Sequence, residues 1–170
     1  RVSAVRSRIG PDVRLRLDAN GAWGVGEALR HLDRLAAFDI EFVEEPVAGL
    51  DDLAEVRLSS PIPTAVDESA RTVDDVSRAV EMGAADLVVL KPSAIGGPLE
   101  AARAAAIVRS AGLDVVVTSL MEGSVGVRAA AHLASAIGAL DPAPGLATAS
   151  LLAVDVDTPC LPVHGELLLD

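Results

Sequence analysis

The chain has 170 residues, enough for one domain with a sizeable core, and 51% of them are hydrophobic while only 2% are aromatic. A formal net charge of −11 and a pI near 4.6 argue against nucleic-acid or anionic-membrane partners, and no apolar run reaches the roughly 18 residues that span a bilayer. A single cysteine, Cys160, excludes an internal disulfide and a cysteine-based zinc site; with no secretory leader pattern, the cytoplasm is the expected compartment.

Val2, Val5 and Ile9 recur at helical spacing and are closed by Gly10-Pro11, which predicts a short opening helix. Val13 to Asp18 alternates like a strand and ends at Asp18-Ala19-Asn20-Gly21. An apolar stripe at Ala28, Leu29, Leu32, Leu35 and Ala36 predicts a helix over 27–38. Ile40 to Val43 reads as a strand ending in Glu44-Glu45-Pro46, and Leu53 to Leu58 as a helix stopped by Ser59-Ser60-Pro61. Thr64 to Val66 is a short strand followed by Asp67-Glu68-Ser69. Thr72 caps a helix running to Met82, with Asp75 where a capping box usually has Glu. Asp86 to Leu90 predicts a strand buried on both faces, ending at Lys91-Pro92. Gly96-Gly97 opens a helix over 99–110 terminated at Gly112, Val115 to Val117 is a strand ending in Thr118-Ser119, and 125–137 is an alanine-rich helix. Leu151-Leu152 fits the end of a strand or the start of a short helix, and residues 159–170 read as irregular chain with one short extended piece.

This alternation calls for a parallel sheet built from βαβ units. No Gly-x-Gly-x-x-Gly follows the first strand and no Gly-x-x-x-x-Gly-Lys-Ser/Thr occurs, so nucleotide-binding readings lose their main support. The strand ends carry the chemistry. Asp18, Glu44, Asp67 and Lys91 are spaced by 44 − 18 = 26, 67 − 44 = 23 and 91 − 67 = 24 residues, about one βα unit each. In a closed βα barrel such ends converge on one mouth, whereas in an open sheet they form a row. Three converging carboxylates repel one another, and a divalent cation resolves this. Oxygen ligands without His or Cys suit Mg²⁺, or Mn²⁺, rather than Zn²⁺. The bland alternative is that each acid caps the following helix. Lys91 is the only lysine beside thirteen arginines. A lysine, unlike an arginine, can give up its proton when desolvated or set beside a cation, and could then act as a base; snorkelling to solvent is the alternative.

At Leu17-Asp18-Ala19-Asn20-Gly21-Ala22-Trp23, Val43-Glu44-Glu45-Pro46, Val66-Asp67-Glu68-Ser69 and Val89-Leu90-Lys91-Pro92 with Gly96-Gly97, the chain resembles the enolase superfamily in its muconate-cycloisomerase-like branch. Val117 to Glu122, Ser124-Val125-Gly126, Gly145 to Thr148 and Leu151-Leu152 make it most similar to the o-succinylbenzoate synthases of menaquinone biosynthesis, although dipeptide epimerases and N-acylamino-acid racemases share parts of these. The resemblance implies a (β/α)₇β TIM-like barrel, incomplete at its N-terminus, with residues 1–170 forming the C-terminal barrel domain. It implies Mg²⁺ held by Asp18, Glu44 and Asp67, with Glu45 and Glu68 supporting the ligands from behind. It further implies Lys91 in catalysis, removal of a proton α to a carboxylate, and loss of water from a small carboxylate substrate. Asn20 is expected at the barrel mouth, with a turn role as the alternative; Ser119 and Met121 are expected to line the substrate, with core packing as the rival for Met121. Trp23 reads as a packing residue, and His31, His132 and His164 as structural. The family's capping domain and first-strand Lys-x-Lys motif have no match here, so the expectation is a fragment or split enzyme, weakly active or inactive alone, that associates with a complementing chain or a second copy. A racemase or epimerase, a non-catalytic remnant and, more distantly, a phosphate-binding βα barrel are the competing readings.

Overall fold

The computed structural model describes residues 1–169. Its elements run α1 (Val2–Ile9), β1 (Leu15–Asp18), α2 (Val25–Leu35) with a 3-10 turn (Ala36–Phe38), β2 (Ile40–Glu44), α3 (Leu50–Ser59), β3 (Thr64–Val66), α4 (Val73–Met82), β4 (Leu87–Leu90), α5 (Pro92–Ile95), α6 (Pro98–Ser110), β5 (Asp114–Val117), α7 (Ser124–Ala136) and a 3-10 turn (Thr148–Leu151). The strands form one sheet in the order β1-β2-β3-β4-β5. Each strand lies beside the next in sequence, with a helix between them and no reversal of order. That is the winding of a βα barrel, whereas a doubly wound sheet reverses at a switch point. The architecture is therefore an incomplete α/β barrel.

The contacts divide the chain into two compact units, Arg1–Ala70 with Arg78–Leu87, and Arg71–Ser77 with the chain from Val88 onward. In the first unit β1 and β2 run parallel with Asp18 opposite Glu44, and β2 and β3 run parallel with Glu44 opposite Ala65. Phe42, Val43, Leu32, Leu53, Val56 and Val66 form its core, each 1% exposed or less. The helix stripe read from the sequence buries Ala28 and Leu32, and α2 passes through its 3-10 turn to Asp39, whose left-handed backbone (φ 50) ends it. Asp86 fastens the start of β4. Its amide donates to the Thr64 carbonyl at 2.8 Å, one carboxylate oxygen accepts the Thr64 amide at 2.9 Å, and the other accepts Arg57 Nε at 2.8 Å.

In the second unit the Thr118 amide donates to the Leu90 carbonyl at 3.0 Å, which seats β5 beside β4. Val116, Val117, Ala104, Val108, Val127 and Ala130 are buried around them. With so few aromatics, this core is filled by Val and Ala at close approach. Gly145 extends the sheet edge, taking its place beside Thr118 through bonds to Val117 and Ser119 of 3.0 and 3.1 Å. The tail forms a bridge between Val163 and Glu166, the short extended piece that the sequence suggests.

Helices α3 and α5 depart furthest from the sequence reading. Helix α3 begins at Leu50, because Gly49 (φ 92) makes the turn and Leu50 is itself buried. Helix α5, absent from that reading, begins with Pro92 at its first position, where the missing N–H costs nothing. No helix among the described residues is long and apolar enough to cross a membrane.

Candidate active site

Asp18 and Glu44 close their strands as the spacing predicts, while Asp67 and Lys91 each sit one residue past theirs. Register places Asp18 beside Glu44, and Asp67 two residues beyond the Ala65 that faces Glu44. Asp18 is exposed, Glu44 half-buried and Asp67 only 6% exposed. Neighbouring strand ends do not by themselves bring carboxylates to a point. Among the described residues no group of three His, Cys, Asp or Glu side chains is gathered around one point in this structure. Asp18 Oδ1 accepts the Asn20 amide at 2.8 Å, a turn within its own loop. Asn20 is exposed with a left-handed backbone (φ 49), as its turn role predicts. The donor set itself, three carboxylates on adjacent strand ends, has the oxygen chemistry that a hard divalent cation takes.

Glu45 supports this region from behind. It is 1% exposed. Its Oε2 accepts the Asp67 amide at 2.7 Å, and its Oε1 accepts the Ser69 hydroxyl. Ser69 Oγ in turn accepts the Gly49 amide at 3.1 Å. Burial pushes the Glu45 carboxyl up; the Asp67 amide and the Ser69 hydroxyl pull it back, and the nearby Asp67 charge raises it again. Its backbone is left-handed (φ 37), sparsely populated for a glutamate, and is fixed by the Glu45 amide on the Ala65 carbonyl (2.9 Å) and the Gly21 amide on the Glu45 carbonyl (2.7 Å). Gly21 is close-packed there, since a Cβ would stand 3.3 Å from Ala48 Cβ. Glu68 lies next to Asp67, half-buried. Trp23 stacks on His31 at 4.8 Å between ring centres, inclined by 51°, which supports its packing role.

In the second unit, Lys91 is half-buried and its carbonyl accepts the Ala94 and Ile95 amides at 2.9 and 3.1 Å, so it starts α5 as well as following β4. Gly96 (φ 105) and Gly97 (φ 111) make the turn into α6. Ser119 is 7% exposed; its amide donates to the Gly145 carbonyl at 3.1 Å and its hydroxyl pairs with Thr148 Oγ1 at 2.8 Å. Met121 is 68% exposed, which removes core packing as its role. Cys160 is buried, and its amide donates to Ser124 Oγ at 2.7 Å. His132 and His164 are exposed. Glu122, Ser93 and Ser69 have no role in the sequence reading. The spacing of Glu122 to Gly126, one helical turn, is the only local signal that any of them leaves. An apolar cavity of about 740 Å³ lies among Ala134, Leu140, Leu146, Leu151 and Leu167. Its lining contains no ionisable side chain and none of Lys91, Ser119 or Met121, so it is not where proton chemistry resides.

The Enolase C-terminal domain-like family matches residues 1–169. The o-succinylbenzoate synthase of Thermobifida fusca (strain YX) is 49% identical over 168 residues, covering 98% of this chain and 52% of the relative. The o-succinylbenzoate synthase of Mycobacterium tuberculosis is 40% identical over 168 residues, covering 98% and 50%. The chain thus spans about half the length of the curated relatives it matches. Among solved structures, muconate lactonizing enzyme from Pseudomonas putida superposes with a TM-score of 0.92 at 27% identity, over 98% of this chain and 47% of that one. Dipeptide epimerase from Enterococcus faecalis, complexed with Mg and the dipeptide L-Leu-L-Tyr, gives 0.92 at 31%, over 100% and 49%. With its strand order, its row of strand-end acids and this match from end to end, the chain belongs to the enolase C-terminal domain-like family.

Proposed function

We propose that the chain carries the metal ligands and one lysine of a magnesium-dependent lyase of the o-succinylbenzoate synthase type. Such an enzyme removes the proton α to a carboxylate and expels water from a cyclohexadiene carboxylate bearing a succinyl group. The observation that carries this reading is the 49% identity to the Thermobifida fusca synthase across 168 residues. Asp18, Glu44 and Asp67 would hold Mg²⁺, with Mn²⁺ as its substitute. Bound there, the cation would neutralise the negative charge that develops on the substrate carboxylate as the α proton leaves. Glu45 fixes the main chain of Asp67, so that the third ligand starts from a set position. Lys91 would offset the developing charge through its Nζ ammonium, while Asn20 and the Ser119–Met121 loop would meet the substrate. A small carboxylate substrate, the cytoplasm as compartment, and a complementing chain or second copy as partner belong to the same proposal.

Calorimetric titration with Mg²⁺ tests the site, with saturable binding expected in the wild type and none in Glu44→Ala. Absence of binding in the wild type would sink the metal assignment. The reaction is followed by loss of the diene absorbance on dehydration. A second reading, epimerisation of a dipeptide, is favoured by the likeness to the Enterococcus faecalis enzyme. It predicts deuterium entering the α position of a dipeptide in D₂O, with no water expelled.

A further inference from the structure

In the second unit one carboxylate joins two loops that are far apart in sequence. Glu122 Oε2 accepts the Ser93 hydroxyl at 2.5 Å across 29 residues, and Glu122 Oε1 accepts the Leu120 amide at 3.1 Å. Ser93 belongs to α5, whose first turn is bonded to the Lys91 carbonyl through Ala94 and Ile95. Leu120 and Met121 belong to the loop after β5 that begins with Ser119, itself fastened to Gly145 and Thr148. Gly126 leaves room for this arrangement, because a Cβ there would fall on the Glu122 carboxylate. The Leu120 bond taken alone is an ordinary local turn. The Ser93 bond is not local, and a carboxylate can accept two donors at once through charge-assisted bonds about twice as strong as neutral ones.

We propose that Glu122 is a positioning residue: through Ser93 it fixes the turn that bears Lys91 relative to the loop that bears Ser119 and Met121. The inference rests on the reading of Lys91 as a reactive group, and its test does not need turnover. Because Lys91 is the only lysine, feeding lysine labelled with carbon-13 at Cε gives a single lysine side-chain resonance from the whole chain. Ser93→Ala and Glu122→Ala are each expected to shift or broaden that resonance. The double variant should do no more than Glu122→Ala alone, since the two changes cut one link. Arg103→Ala, which breaks the Arg103–Glu100 surface pair in the same unit, should leave the resonance in place. If the chain dehydrates the substrate, the same two variants should lower kcat about tenfold with KM unchanged, as expected for a misplaced reacting group. A Lys91 resonance unmoved in both folded variants overturns the proposal. If Glu122→Ala does not fold, Ser93→Ala, which removes one hydroxyl from an exposed residue, decides alone. A shifted resonance without turnover in the wild type supports the clamp and counts against the lyase, whereas turnover with an unshifted resonance counts against the clamp only.

Discussion

At the scale of the residue, Glu45 is the costliest side chain in the candidate site: a carboxylate 1% exposed on a left-handed backbone. What it returns is a fixed Asp67 amide and a fixed Ser69 hydroxyl. Glu45→Ala would leave both donors without that acceptor, and the expected loss is about 1–3 kcal/mol in urea denaturation, with weaker Mg²⁺ binding beside it. Asp155 works in the opposite electrostatic direction. The Ser124 hydroxyl (2.7 Å) and the Ser124 amide (2.9 Å) hold its carboxyl below the ordinary value of 3.8. A folded-state value below the unfolded one gives stability that is present above 3.8 and is lost as pH falls through the folded value. Wild-type denaturation midpoints should therefore drop on acidification below that point, while Asp155→Asn should start lower at neutral pH and fall less steeply. The ligand candidates Asp18 and Glu44 were legible in the sequence because an acid at the end of an alternating run is a local pattern. The bonds of Glu45 to Asp67 and Ser69 and of Glu122 to Ser93 were not, since they span 22 to 29 residues and depend on which loops meet.

At the scale of the element, the start of α4 shows how far local chemistry reaches. Asp75 Oδ2 accepts the Thr72 amide at 3.0 Å, and the Asp75 amide donates to Thr72 Oγ1 at 3.1 Å, a reciprocal capping box closed by Asp instead of Glu. Thr72→Ala should cost about 1 kcal/mol in chemical denaturation, and Thr72→Ser should recover most of it. Strand β3 has the bounds that its sequence predicts, because three apolar-compatible residues stand between Pro63 and an acidic turn. The start of α3 was misplaced for a non-local reason, since the burial of Leu50 that extends it is decided by packing. Helix α5 was missed because a four-residue helix is too short to show a period.

At the scale of the whole molecule, a net charge of −11 means that the folded chain repels itself. Sodium chloride should raise the melting temperature by screening. Magnesium chloride at equal ionic strength should raise it further if the strand-end acids bind the ion, and Glu44→Ala should erase only that excess. The order β1-β2-β3-β4-β5 also has a kinetic meaning. Leu15 pairs with Ile40 and Val43 with Thr64, separations of 40 − 15 = 25 and 64 − 43 = 21 residues. Neither of these pairings waits for a distant part of the chain, and the entropy of closing such loops rises only with the logarithm of their length. This is a topology of low contact order for a parallel sheet. A ribosome extending the chain can thus leave β1 and β2 paired before β4 has been synthesised, so that Asp18 and Glu44 stand in register while Lys91 is still to come.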